Sequence, residues 1–153
     1  MMFAKTSGRV RANSSRVANE SIDSQVGHSV QWHAAHPGAI PRRLAELEQE
    51  WDIERVLEAN AASVSLIGLA LGTYVNRKFF ALPALVAGFL MQHALQGWCP
   101  PVGLFRRLGV RTQGEIDEER YALKALRGDF SALPQTESPH MEDQQGFVYA
   151  VRH

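Results

Sequence analysis

The chain has 153 residues, with 16 basic and 16 acidic side chains and no net formal charge. That balance argues against a nucleic-acid binder, for which a basic surplus is expected. A single cysteine, Cys99, excludes an intramolecular disulfide and a multi-thiolate metal site within one chain. The whole-chain mean hydropathy is slightly negative, but it averages polar flanks with an apolar centre.

Residues 1–41 are rich in Ser, Gly, Asn, Ala and His and lack a sustained apolar period, so they read as a disordered tail. Before Glu20 this segment carries Lys5, Arg9, Arg11 and Arg16 and no acid, a composition that also suits an organelle transit peptide. His28, His33 and His36 are loosely clustered, but no third ligand type lies near them and no metal site is assigned. Residues 42–130 read as one helical membrane domain. Its first part, 42–58, is an amphipathic helix following Pro41. Glu46, Glu50, Glu54 and Glu58 make an acidic stripe, expected to be solvated and to pair with a later basic helix, while Leu44, Leu47 and Trp51 occupy another face. The helix is expected to turn into a membrane span near Glu58.

Two spans follow, at about 59–76 and 79–98, joined by a turn at Asn76, Arg77 and Lys78. Each is free of Asp, Glu, Lys and Arg over about the length a helix needs to cross the hydrocarbon core. Neither shows the polar stripe of a soluble core helix, and only helices and closed barrels cross lipid, because backbone groups must be satisfied internally. In the first span Val64, Leu66, Ile67, Leu69, Leu71 and Val75 together favour insertion by about 2 to 4 kcal/mol. The second span is the stronger, with Phe79, Phe80, Leu82, Leu85, Val86, Phe89, Leu90 and Leu95, and Pro83 falls near its start, where a missing N–H is tolerated. The competing reading is a soluble helical hairpin that dimerises through the same surface. Gly68 with Gly72, and Ala84 with Gly88, are small-residue pairs that let helix backbones approach. In an antiparallel pairing Asn60 and Ser63 lie level with Gln92, His93 and Gln96. These five form a candidate intramembrane polar cluster, either a relay centred on His93 or interhelical hydrogen bonding. Arg42, Arg43, Arg55, Arg106, Arg107 and Arg111 flank the outer ends of the spans, against Arg77 and Lys78 in the turn, which predicts both termini in the cytoplasm.

Cys99 marks the cytoplasmic boundary as a candidate thiol, and Pro100 and Pro101 break the helix after it. Leu104, Phe105 and Leu108 are expected to dip into the interface under Arg106 and Arg107. Thr112 stands three residues before Glu115, the spacing of a capping box, which predicts a helix over about 113–127 stopped by Gly128. Ile116, Leu123 and Leu126 would form its apolar face. Residues 131–153 read as a second disordered tail, with a short apolar run from Phe147 to Val151.

The sequence contains no phosphate loop, dinucleotide fingerprint or Ser/His/Asp order with family context, so no catalytic residue and no cofactor are assigned and no enzymatic activity is expected. Gly97-Trp98-Cys99-Pro100 leading to Leu108-Gly109-Val110, with Asp52 to Arg55 before the first span, resembles the YgaP-like inner-membrane domain family, whose function is unknown. The resemblance covers roughly residues 51–110, with Pro101 to Phe105 as extra residues between its last two motifs. It implies a two-span bacterial inner-membrane protein, and a link to sulfur metabolism through members fused to sulfurtransferase domains. The expectation is therefore an all-α membrane hairpin flanked by amphipathic cytoplasmic helices, with disordered termini. Its partners would be the lipid bilayer and either further copies of itself or a membrane protein that it assists. The rival functions are an oligomeric minimal transporter or channel for a small ion or sulfur species, and a sulfur-handling redox protein using Cys99.

Overall fold

The computed structural model describes residues 8–131, and these are helical with no strand. In chain order the helices are α1 (Arg9–Ala12), α2 (Arg16–Ala35), α3 (Ile40–Gln49), α4 (Ile53–Tyr74), α5 (Ala81–Gln96), α6 (Pro100–Arg107) and α7 (Gln113–Arg127). Short 3₁₀ turns at Pro37–Ala39 and Arg77–Phe80 precede α3 and α5. The chain divides into two compact units, one built from residues 8–24 and 51–116, the other from 25–50 and 117–131. The tail expected over 131–153, with its apolar run, lies outside the described residues except for Ser131.

The disorder expected over residues 1–41 is corrected from residue 8 onward by α1, α2, the 3₁₀ turn at Pro37–Ala39 and the start of α3, and residues 1–7 lie outside the described residues. Ala18, Ile22, Val26, Ser29 and His33 fall three or four residues apart and carry the more buried positions of α2. Two of those five are polar, so the stripe does not register as apolar periodicity. The Ser15 hydroxyl supports the start of the helix by accepting from the Ala18 N–H at 3.2 Å. His33 is buried and its Nδ1 donates to the Ser29 carbonyl at 2.7 Å, so it is not part of a solvated tail. His36 stays exposed and stacks on Trp32, with ring centroids 4.2 Å apart.

The continuous helix expected over 42–58 is instead two helices. α3 ends at Gln49, Glu50 turns extended, and Asp52 caps α4 by accepting from the Arg55 N–H at 2.9 Å. The Ile53 N–H, which has no acceptor within its own helix, donates to the Arg111 carbonyl at 2.8 Å. Trp51 is exposed in the break, with the Arg55 guanidinium 4.4 Å above its ring. The 22 residues of α4 run for about 33 Å. The 3₁₀ turn and α5 together rise about 32 Å, so either run matches a hydrocarbon core of about 30 Å.

In the unit that holds α4, α5 and α6, the apolar core is Val10, Ile53, Leu57, Cys99 and Val102, with Phe89, Phe105 and Val110 packed against it. The upper part of α4 meets the start of α5 closely. A Cβ on Gly68 would stand 2.8 Å from Pro83 Cδ, and one on Gly72 would stand 2.7 Å from Phe80 Cδ1. Ala84 and Gly88 lie away from this contact; both are exposed, and a Cβ on Gly88 would meet nothing within 4 Å. The outer faces of both helices are apolar and open. Leu66 is 67% exposed and Met91 66%, and Ile67, Leu69, Val75, Phe79, Leu85 and Leu95 are exposed as well.

In the other unit the buried side chains include Ile40, Leu44, Leu47 and Leu123. Glu119 sits buried among them and accepts from Arg43 Nε at 2.8 Å, Arg43 Nη2 at 3.0 Å and the Ser29 hydroxyl at 2.5 Å. A base of α3 meets an acid of α7, whereas Glu46 pairs with Arg42 and Arg43 of its own helix. The buried positions of α7 include Ile116, Glu119 and Leu123, three or four residues apart, and Leu126 is exposed.

Candidate functional site at the base of the apolar helices

Polar chemistry gathers where α4 begins and α5 ends. His93, in the last turn of α5, is 4% exposed, and its Nε2 lies 2.7 Å from Glu54 Oε2 in the first turn of α4. A carboxylate can only accept, so Nε2 carries the proton in this contact. Nδ1 is buried and has no hydrogen-bond partner among the described residues. The other oxygen of Glu54 meets Arg9 Nη2 at 3.4 Å.

α1 closes this end of the bundle. The last carbonyls of a helix have no intrahelical donor. Here Arg9 Nη1 donates to the Ala94 carbonyl at 3.3 Å, and Asn13 Nδ2 donates to the Gln96 carbonyl at 3.0 Å. Gly97 ends α5 with φ +71°, and its N–H donates to the His93 carbonyl at 2.7 Å. A Cβ there would stand 2.6 Å from Arg9 Cγ and 2.9 Å from the Arg9 carbonyl carbon, so glycine is required both for the turn and for the approach of α1.

The five residues expected as one polar cluster do not converge. Ser63 donates to the Ala59 carbonyl of its own helix at 2.8 Å, and Asn60, Ser63 and Gln96 are exposed. His93 reaches Glu54, six positions closer to the start of α4 than Asn60. Part of this shift comes from the 3₁₀ turn, which rises about 2.0 Å per residue against 1.5 Å in an α-helix and lengthens the second arm. The reach of the glutamate side chain adds to it. Glu54 was visible in the sequence only as one member of an acidic stripe.

Cys99 is buried beside Ile53, Leu57 and Val102. Burial pushes its thiol above the usual value; a backbone hydrogen bond with Val102 opposes this and the charge of Glu54 adds to it. The thiol lines a cavity of about 50 Å³ together with Leu57, Asn60, Ala61, Val86, Phe89, Leu90 and Pro101.

A second buried cluster, not expected from the sequence, holds α6 to the start of α7. Arg106 is 1% exposed. Its Nη1 donates to Glu115 Oε2 at 2.6 Å and to the Val110 carbonyl at 3.1 Å. Its Nη2 donates to Glu115 Oε1 at 2.7 Å and to Asn19 Oδ1 at 2.8 Å. Arg11 adds a contact to Glu115 at 3.1 Å and a two-point contact to Asp23. Glu115 also accepts from the Thr112 N–H at 2.8 Å, while its own N–H reaches the Thr112 hydroxyl at 3.3 Å, which completes a capping box. Burial alone would raise the Glu115 carboxyl, but the hydrogen bonds from Arg106 and Thr112 outweigh it and hold the group below its ordinary value. Arg106 therefore does not lie at a lipid surface with Arg107. The sequence signal for the pair was the capping-box glutamate itself, which has a free oxygen to offer a guanidinium.

Among the described residues the class defined by this fold is all-helical, with two helices long and apolar enough to cross a membrane. No family model matches the chain, and no curated protein and no solved structure matches it.

Proposed function

We propose that the chain is a small two-span bacterial inner-membrane protein, with α4 and α5 as an antiparallel transmembrane hairpin and both termini in the cytoplasm. It acts as a structural or accessory partner, through further copies of itself or another membrane protein, and carries no enzymatic activity of its own. The observation that carries this reading is the open apolar surface along both α4 and the turn-plus-α5 run, which a soluble monomer of this size does not present to water. Three further features support it. Trp51 and Trp98 are exposed at the same end of these helices, as interfacial aromatics are. Arg77 and Lys78 are the only bases in the connecting turn. The motifs around Cys99 resemble the YgaP-like family. The buried, protonated state favoured for Cys99 speaks for a packing role rather than sulfur chemistry.

The test is fractionation followed by labelling. The protein is expected in the membrane fraction and resistant to alkaline extraction. With Cys99 replaced by Ala, a thiol introduced by Asn76→Cys is expected to react with an impermeant reagent in intact cells, and one introduced by Gln113→Cys to react only after lysis. Recovery in the soluble fraction defeats the membrane reading, and labelling at 113 from outside defeats the orientation.

A second reading, an oligomeric minimal transporter, is favoured by one observation: a buried His93 in direct contact with Glu54 at the end of the spans. It predicts that His93→Gln leaves the protein at its normal membrane level but abolishes proton-coupled flux of the purified protein in vesicles.

A further inference from the structure

α6 and its C-cap Leu108 bury an arginine beside Val102 and Phe105 while leaving two leucines open. Val102 and Arg106, four residues apart, face inward and are fully buried. Leu104 and Leu108, also four apart, face outward, 58% and 70% exposed. A surface helix bathed in water would turn its arginine out and its leucines in. Here both terminal nitrogens of Arg106 are taken up inside the protein by Glu115, Val110 and Asn19, and only its Nε is buried without a partner among the described residues.

The depth of α6 sets what meets its outer face. Its inner face packs into the same core as Ile53, Leu57 and Phe89. Phe89 lies seven residues before the end of α5, about 10 Å back along that helix. Pro101, at the start of α6, shares a cavity wall with Val86 and Leu90. α6 therefore lies beside the first turns of α4 and the last turns of α5, not beyond them. Leu95 and Trp98, at the end of α5 and just after it, are exposed like the leucines of α6, and the exposed Arg107 follows at its end.

We propose that α6 is a third lipid-contacting element, an in-plane helix that sets Leu104 and Leu108 into the acyl boundary of the cytoplasmic leaflet while the internal Arg106–Glu115 clamp keeps its charge out of the lipid. The proposal rests on the membrane reading above. It commits to bilayer lipid because α6 packs at the depth of the span ends, where lipid would cover the exposed residues of α5.

The experiment places an environment-sensitive fluorophore on single thiols in the full chain, reconstituted into vesicles of mixed phosphatidylethanolamine and phosphatidylglycerol. The thiols are introduced by Leu104→Cys, Leu108→Cys, Leu85→Cys and Gln113→Cys on a Cys99→Ala background. If that background fails to fold, Cys99 is retained and its burial keeps it unlabelled, as the unsubstituted chain verifies. Phospholipids carrying a quencher high on the acyl chain are expected to quench positions 104 and 108 to an extent comparable with position 85, and to leave 113 bright. Quenching at 85 without quenching at 104 and 108 leaves the hairpin standing and overturns the third element, whether water or a second copy covers α6. Equal quenching at 113 also overturns it. Absence of quenching at all four positions defeats the membrane reading itself.

Discussion

At the scale of single residues, the Arg106–Glu115 and His93–Glu54 contacts differ in burial. The Arg106–Glu115 pair is closed on both sides, with each carboxylate oxygen taking one guanidinium nitrogen. Removing one partner of such a pair leaves an unpaired buried charge and costs about 3 to 5 kcal/mol. Glu115→Gln is therefore expected to lower the thermal midpoint of the detergent-solubilised protein markedly at neutral pH. The pH dependence has a definite sign. Because the Glu115 carboxyl is held below its ordinary value of 4.5, its stabilisation is complete above that value and is lost as pH falls through the lower, folded-state value. The thermal midpoint of the wild-type protein should fall through this acid range, and the Glu115→Gln variant should lack that part of the fall. A parallel fall in both proteins would assign the acid sensitivity to other groups. The His93–Glu54 contact is more open, since the Glu54 side chain is 39% exposed. His93→Asn shortens the side chain and loses the bond to Glu54, whereas His93→Gln retains a donor at greater reach. If the contact holds the helices together, Gln is expected to preserve the midpoint better than Asn. Equal midpoints would mean that the contact contributes no stability.

At the scale of elements, the approach of α4 to α5 depends on two glycines of the four small residues in the sequence pattern. Gly68 and Gly72 lie where any Cβ would collide with Pro83 or Phe80, while Ala84 and Gly88 are open. Gly68→Ile with Gly72→Ile is expected to force the two helices apart. Disulfide crosslinking between thiols introduced by Ala61→Cys and Phe89→Cys would report this as a loss of yield, whereas Ala84→Ile with Gly88→Ile should leave the yield unchanged. The opposite pattern would place the close contact on the wrong face. Gly97 has two separate requirements, a left-handed turn and the passage of Arg9. Gly97→Ala is expected to destabilise by more than the about 1 kcal/mol that the strained backbone alone costs, and deletion of residues 1–14 should remove the excess. An identical penalty with and without those residues would show that α1 does not crowd Gly97.

At the scale of the whole molecule, much of the architecture was legible. The charge-free apolar runs marked both long helices, because a helix that is apolar all round has few destinations. Thr112 and Glu115 marked the start of α7, because a capping box is a local bargain between residues three apart. The break at 50–52 was hidden, since Arg42 to Glu58 favours helix throughout and only Asp52, read as a cap, interrupts it. α2 was hidden because its buried stripe includes a serine and a histidine. These become core residues only when an acid such as Glu119, far away in sequence, meets the serine.

What the sequence by itself determined is the helical class, the two apolar runs and the cap of α7, because each is written in residues within a few turns of one another. Tertiary structure alone decided that His93 meets Glu54 rather than Asn60, that Arg106 turns inward while Leu104 and Leu108 turn out, and that Arg9 and Asn13 close the end of α5. Each of these joins groups whose contact depends on helix register and side-chain reach. A shift of one turn, about 5.4 Å, changes every partner without altering any local preference.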